Sequence, residues 1–115
     1  MSVVFVIVPD WTMRTAVRAE LREFGIDALG MDSADDASRA IGSGSLPNVI
    51  VLEAISELLS SLRIQILVQH VPTVLIASRT VDVSLPESPA VLYRPVRIAE
   101  IVARVSELLS RNHTA

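Results

Sequence analysis

The chain has 115 residues, of which half are hydrophobic and a fifth are charged, and its formal net charge is −3. That length fits one domain, and the apolar fraction is enough to build a core without metal ions or disulfides. The acidic balance argues against a nucleic-acid surface, which is usually basic. Because cysteine is absent, disulfides, cysteine-ligated zinc and thiol nucleophiles are excluded.

The amino-terminal apolar run, residues 3–8, has no basic segment before it and an acid soon after it, unlike a secretory signal. It is also far shorter than the ~20 apolar residues that a membrane helix needs. We therefore expect a cytoplasmic protein that does not associate with membranes.

Short apolar runs rich in β-branched residues predict five strands, several of them buried on both faces of a sheet. They cover residues 3–8, 26–30, 49–52, 73–77 and 90–93. Apolar residues at helical spacing predict four helices between and after these runs. The helices cover residues 12–24, 34–41, 55–68 and 98–109.

Residues 79–89 include Pro86 and Pro89. Because a proline inside a helix costs about 3 kcal/mol, we expect a loop or a single turn there. The helix that would lie between the fourth and fifth strands, the fourth in chain order, is therefore expected to be short or absent. The domain is predicted to cover residues 1–110, and residues 111–115 are predicted to form a flexible tail.

Strands that alternate with helices predict a doubly wound α/β domain, with a five-stranded parallel sheet and helices on both faces. Sheets of this kind carry their sites at the carboxyl ends of the strands. The residues at those ends are Asp10, Glu53, Ala77 with its neighbour Ser78, and Arg94.

Three stretches in this order resemble the response-regulator receiver domains of bacterial two-component phosphorelays, in particular the chemotaxis type. They are residues 10–14 with a helix ending at Phe24-Gly25, residues 47–53, and Tyr93-Arg94-Pro95. The resemblance covers nearly the whole chain and implies a flavodoxin-like sheet with strand order 2-1-3-4-5.

The resemblance also implies a phosphorylation pocket, but the chain departs from the family pattern there. Glu53 stands at the position of the phosphoacceptor Asp, Ala77 at the hydroxyl position, and Arg94 at the Lys before the cis or turn proline, Pro95. A single acid, Asp10, remains of the pair that binds Mg²⁺ in the family.

These departures predict a degenerate receiver, or pseudo-receiver, that is neither an enzyme nor phosphorylated. The extra CH₂ of Glu53 moves its carboxylate away from in-line geometry, and the loss of an acid leaves at most weak Mg²⁺ binding at Asp10 and Glu53, so we expect no metal and no cofactor. Strand alternation points Ser78 away from the face of Ala77. Arg94 is expected to pair with Glu53 or Asp10, either filling the old pocket or imitating the activated form.

We expect the protein to act through protein–protein interaction, with a kinase, regulator or output domain, or with a second copy. Candidate contacts are Trp11, Arg14, Arg18, Arg97 and Arg104. The simplest interpretation of the stripe formed by Arg14, Arg18 and Arg22 is a solvated helix face.

Two alternatives remain open. The first is a working phosphorelay receiver that uses a non-standard acceptor, either Glu53 or Ser78. The second is a small nucleotide-binding α/β protein, which the lack of a glycine-rich phosphate-binding motif disfavours.

Overall fold

A computed structural model describes residues 2–78 and 90–113 of the chain. The strands in this part are β1 Val3–Ile7, β2 Asp27–Met31, β3 Val49–Glu53, β4 Thr73–Ala77 and β5 Ala90–Tyr93. The helices are α1 Trp11–Glu23, α2 Ala34–Gly42, α3 Ser56–Leu59, α4 Leu62–His70 and α5 Ile98–His113. All five predicted strands are present, with ends that shift by at most one residue.

The strands form one sheet in the order β2-β1-β3-β4-β5, and every neighbouring pair is parallel. This confirms the predicted doubly wound fold and its strand order. Since all strands run the same way, their carboxyl ends lie along a single edge of the sheet.

Side chains alternate between the two faces of the sheet, and each face carries its own buried cluster. Val6, Val51 and Ile76 belong to the cluster that includes residues of α1 and α5. Phe5 and Leu52 point the other way, into the cluster that includes residues of α2, α3 and α4. Burial on both faces explains why the central strands are almost entirely apolar.

The helix predicted at residues 55–68 is two helices, which is a correction to the sequence interpretation. The chain leaves α3 at Ser60 and begins α4 after Ser61, whose hydroxyl accepts a hydrogen bond from the Ile64 N–H. Serine favours this capping position because its side chain satisfies an otherwise unpaired amide. The continuous apolar pattern concealed the break.

Helix α5 continues to His113, so the domain boundary predicted at residue 110 lies within this helix. The remainder of the predicted tail, residues 114–115, and the predicted loop at residues 79–89 lie outside the described residues. None of the helices in the described part combines the length and apolar character that a membrane span requires.

Candidate functional site

Three residues from distant parts of the chain meet at the carboxyl edge of the sheet. Glu53 is the last residue of β3, Arg94 directly follows β5, and Asp10 precedes α1. The Arg94 backbone N–H donates to the Ala77 carbonyl at 2.8 Å, which continues the pairing of β5 with β4 past the end of the strand. This hydrogen bond fixes the position of the Arg94 backbone, from which the side chain extends.

Both carboxylate oxygens of Glu53 accept hydrogen bonds. The Arg94 Nη2 donates to Glu53 Oε2 at 2.9 Å, and the Asp10 backbone N–H donates to Glu53 Oε1 at 3.3 Å. The Glu53 side chain is 14% exposed and that of Arg94 is 36% exposed, so the pair is partly shielded from water. We call this contact the Glu53/Arg94 ion pair. Of the two partners predicted for Arg94, the structure places Glu53 in contact with it.

The Asp10 carboxylate serves a different purpose, as the amino-terminal cap of α1. Its Oδ1 accepts from the backbone N–H groups of Thr12 at 3.1 Å and Met13 at 3.4 Å. Capping satisfies amides that have no partner within the helix. Met13 also lies against the ion pair, with its sulfur 3.9 Å from Arg94 Nη2. The sequence interpretation did not include Met13 in the site.

The residues at this edge do not fit a Mg²⁺ site. Mg²⁺ requires oxygen ligands in near-octahedral geometry. Here the Glu53 carboxylate is paired with a guanidinium, Asp10 Oδ1 caps a helix, and Pro9 offers no side-chain oxygen. Across residues 2–78 and 90–113, no three acidic or histidine side chains are grouped so that they could hold a metal ion.

Ala77, at the hydroxyl position of the resemblance, is buried, with 1% of its surface exposed. Its methyl group belongs to the apolar cluster on the α2 to α4 side of the sheet. Ser78 follows immediately and is partly buried. The Arg94-Pro95 peptide bond is cis, as expected for Pro95.

The stripe of arginines on α1 differs from the solvated face expected of it. Arg14 Nη1 donates to the carbonyls of Val8 at 2.8 Å and Pro9 at 3.3 Å, and Arg18 Nε donates to the Ala28 carbonyl at 3.3 Å. Burial lowers the pKa of Arg18, and repulsion from the neighbouring arginines of the stripe lowers it further. The solvated-face interpretation is therefore wrong for Arg14 and Arg18.

Gly30 is the sequence signal that could have revealed these contacts. The arginine stems pass over Gly30 on β2, where an added Cβ would lie 2.7 Å from Arg18 Cδ and 3.2 Å from Arg14 Cδ. A glycine inside a strand often marks such a close approach.

The remaining candidate contacts are surface residues. Trp11 is the first residue of α1 and is 67% exposed. Arg97, which directly precedes α5, is exposed, and on α5 itself Arg104 Nε lies 3.6 Å from Glu107 Oε2. Nothing in these positions by itself identifies a partner.

No protein-family model matches the chain, and no curated protein matches it. Solved structures do. A response regulator receiver protein from Burkholderia phymatum is 21% identical with a TM-score of 0.76, over 96% of both chains. The receiver domain of Francisella response regulator 1452 is 18% identical with a TM-score of 0.75, over 97% of this chain and 99% of its own.

A receiver domain protein from Clostridium thermocellum is 15% identical with a TM-score of 0.75, over 99% of this chain and 98% of its own. At these identities the likeness establishes the fold. The chain therefore has the fold of response-regulator receiver domains over nearly its full length.

Proposed function

We propose that this protein is a receiver-type module of a cytoplasmic two-component signalling system that is not phosphorylated and acts by binding another protein. The observation that carries the proposal is the Glu53/Arg94 ion pair, at the place where the resemblance puts the phosphoacceptor. The partner is a kinase, a regulator, an output domain or a second copy of the chain.

The arrangement disfavours phosphoryl transfer because both oxygens of the Glu53 carboxylate, which would be the nucleophile, already accept hydrogen bonds. An attacking carboxylate oxygen has to lie in line with the leaving group, and transfer depends mainly on positioning and charge neutralisation. Glu53 Oε2 faces Arg94 and Oε1 faces the Asp10 amide. Phosphorylation would require breaking these contacts and reorienting a longer side chain.

Three further features support the same proposal. Buried Ala77 offers a methyl group where the family has a hydroxyl, and the acids at the sheet edge do not fit Mg²⁺. The resemblance puts the family's aromatic switch residue at Val91, which is not aromatic; it is partly buried and packs against the apolar cluster. A relay from hydroxyl to aromatic side chain therefore lacks both of its members.

Intact-mass spectrometry after incubation with acetyl phosphate and Mg²⁺ tests the proposal. We expect no gain of about 80 Da, the mass of one phosphoryl group. A variant that combines Glu53→Asp, Ala77→Thr and Arg94→Lys, with Pro9→Asp to restore the acid pair, is the matched positive control. The control should gain the mass under the same conditions.

A mass gain in the wild-type protein would overturn the proposal, and its chemistry would identify the acceptor. Hydroxylamine cleaves an acyl phosphate on Glu53 but leaves a phosphate ester on Ser78 intact. A thermal-shift titration with ATP and GTP addresses the nucleotide-binding alternative, for which we expect no change in Tm.

A further inference from the structure

β2 lies at one edge of the sheet, next to β1 alone among the described strands. The Val8 N–H donates to the Met31 carbonyl, which places the Met31 carbonyl on the β1 side of this segment. Backbone groups alternate between the two sides of a strand, so the N–H and carbonyl groups of Ala28 and Gly30 point outward, away from the sheet. Such outward-pointing groups can bind another strand.

The sequence of β2 carries little of what usually protects an edge strand. Proteins protect such strands with charged side chains, prolines or bulges. The only charged residue of β2 is Asp27, at its first position, and the strand contains no proline. Its register with β1 is continuous over all five residues, without a bulge. Leu29, in the centre, leaves 37% of its surface exposed. Protection of this edge therefore has to come from another element.

Arg18 of α1 reaches the outer edge of β2. Its side chain passes over Gly30, where an added Cβ would lie 2.7 Å from Arg18 Cδ. Its Nε then donates to the outward-facing Ala28 carbonyl at 3.3 Å. The Arg18 side chain is partly buried, so packing holds it in place together with this hydrogen bond. A cation from α1 thus lies at a strand edge whose own sequence provides none.

We propose that Arg18 prevents β2 from pairing with the β2 of a second copy. Its guanidinium occupies an acceptor that a second strand would use. A two-fold axis would make such a pair antiparallel, and the approach of the two edges would bring the two Arg18 cations toward each other, which is unfavourable. The inference goes beyond the proposed function, because it holds whether or not the carboxyl edge of the sheet is phosphorylated.

Arg18→Ala tests the proposal, and Arg22→Ala is the matched control. Alanine favours helix, so the change at Arg18 removes the edge contact without disfavouring α1. Arg22 is the next arginine of the stripe and is exposed. Sedimentation velocity from about 10 µM to about 1 mM should show Arg18→Ala associating at least about tenfold more tightly than the wild type. Arg22→Ala should match the wild type.

Amide hydrogen exchange, followed by NMR, shows whether this association uses the β2 edge. In Arg18→Ala, the exchange of the outward N–H groups of Ala28 and Gly30 should slow at least about tenfold between the lowest and the highest protein concentration. In the wild type their exchange should not depend on concentration. Association without protection of these two amides would overturn the proposal, as would an Arg18→Ala variant that sediments like the wild type.

Two further variants separate the edge contact from a general loss of stability. Leu29→Lys, added to Arg18→Ala, puts a cation back on the edge strand and should return the Kd to within about threefold of the wild type. Leu108→Ala removes a partly buried side chain of α5 and should not strengthen association. The proposal is wrong if the lysine leaves the association unchanged, or if Leu108→Ala associates as tightly as Arg18→Ala.

Discussion

At the scale of single residues, the position of Glu53 is decided by two hydrogen bonds that reach across the sheet edge. One comes from Arg94 and the other from the Asp10 backbone N–H. The glutamate is more buried than the arginine, with 14% against 36% of the side chain exposed. Removing the arginine therefore leaves a carboxylate that water compensates only in part.

Arg94→Ala should lower the free energy of unfolding by about 1 kcal/mol at low salt, a modest figure because the arginine is more than a third exposed. The loss should shrink at 1 M NaCl, where charges are screened. Urea denaturation at both salt concentrations measures it. Arg97→Ala, a neighbouring arginine without an ion-pair partner in the described part of the chain, is the control and should change stability by less than about 0.5 kcal/mol. Equal losses in both variants would contradict a specific role for the ion pair.

At the scale of elements, α1 is fastened to its neighbours through polar contacts as well as apolar ones. Asp10 caps its first turn. Arg14 donates to the carbonyl of Val8, which directly follows β1, and Arg18 donates to a carbonyl of β2. Because β2 is an edge strand, the Arg18 side chain also covers part of an exposed strand surface. The absence of a side chain at Gly30 makes room for it.

Gly30→Ala should destabilise the protein by about 0.5 to 1 kcal/mol, since the new Cβ displaces the Arg18 stem and weakens its bond to Ala28. The cost stays moderate because the displaced atoms belong to a flexible side chain. Gly42→Ala, at the end of α2 with no atom within 4 Å of the added Cβ, is the matched control. It should be neutral or stabilising, because alanine favours helix more than glycine does. Thermal unfolding of both variants measures the difference.

At the scale of the whole molecule, the sheet separates two apolar layers that pack against different helices. The cluster shared with α1 and α5 holds these two helices against one face of the sheet. The cluster shared with α2, α3 and α4 includes Ala77, and Val91 packs against it. A substitution in one layer is therefore expected to affect mainly the helices on that side of the sheet.

Ile101→Ala removes a side chain of α5 that is fully buried, with 0% of its surface exposed. The loss of burial and the cavity left behind should lower the free energy of unfolding by about 2 to 5 kcal/mol. Leu108→Ala, on the same helix but only partly buried, should lower it by less. Urea denaturation gives both values, and a larger loss at Leu108 would contradict the placement of the core.

Local patterns in the sequence determined the strands, their parallel pairing and the residues at the sheet edge. A run such as residues 49–53 is apolar throughout, because both of its faces are covered, and that property is visible in the chain itself. Once the strands are known to be parallel, Glu53 and Arg94 must lie at the same edge.

Tertiary packing alone decided which groups touch. Arg94 and Glu53 are 41 positions apart, and nothing local distinguishes Glu53 from Asp10 as the partner of the arginine. Arg14 and Arg18 have the spacing of a solvated face, yet they reach backbone carbonyls outside α1. Side-chain contacts of this kind depend on how helices lie against the sheet, which is set by the packing of the whole core and not by any local stretch of sequence.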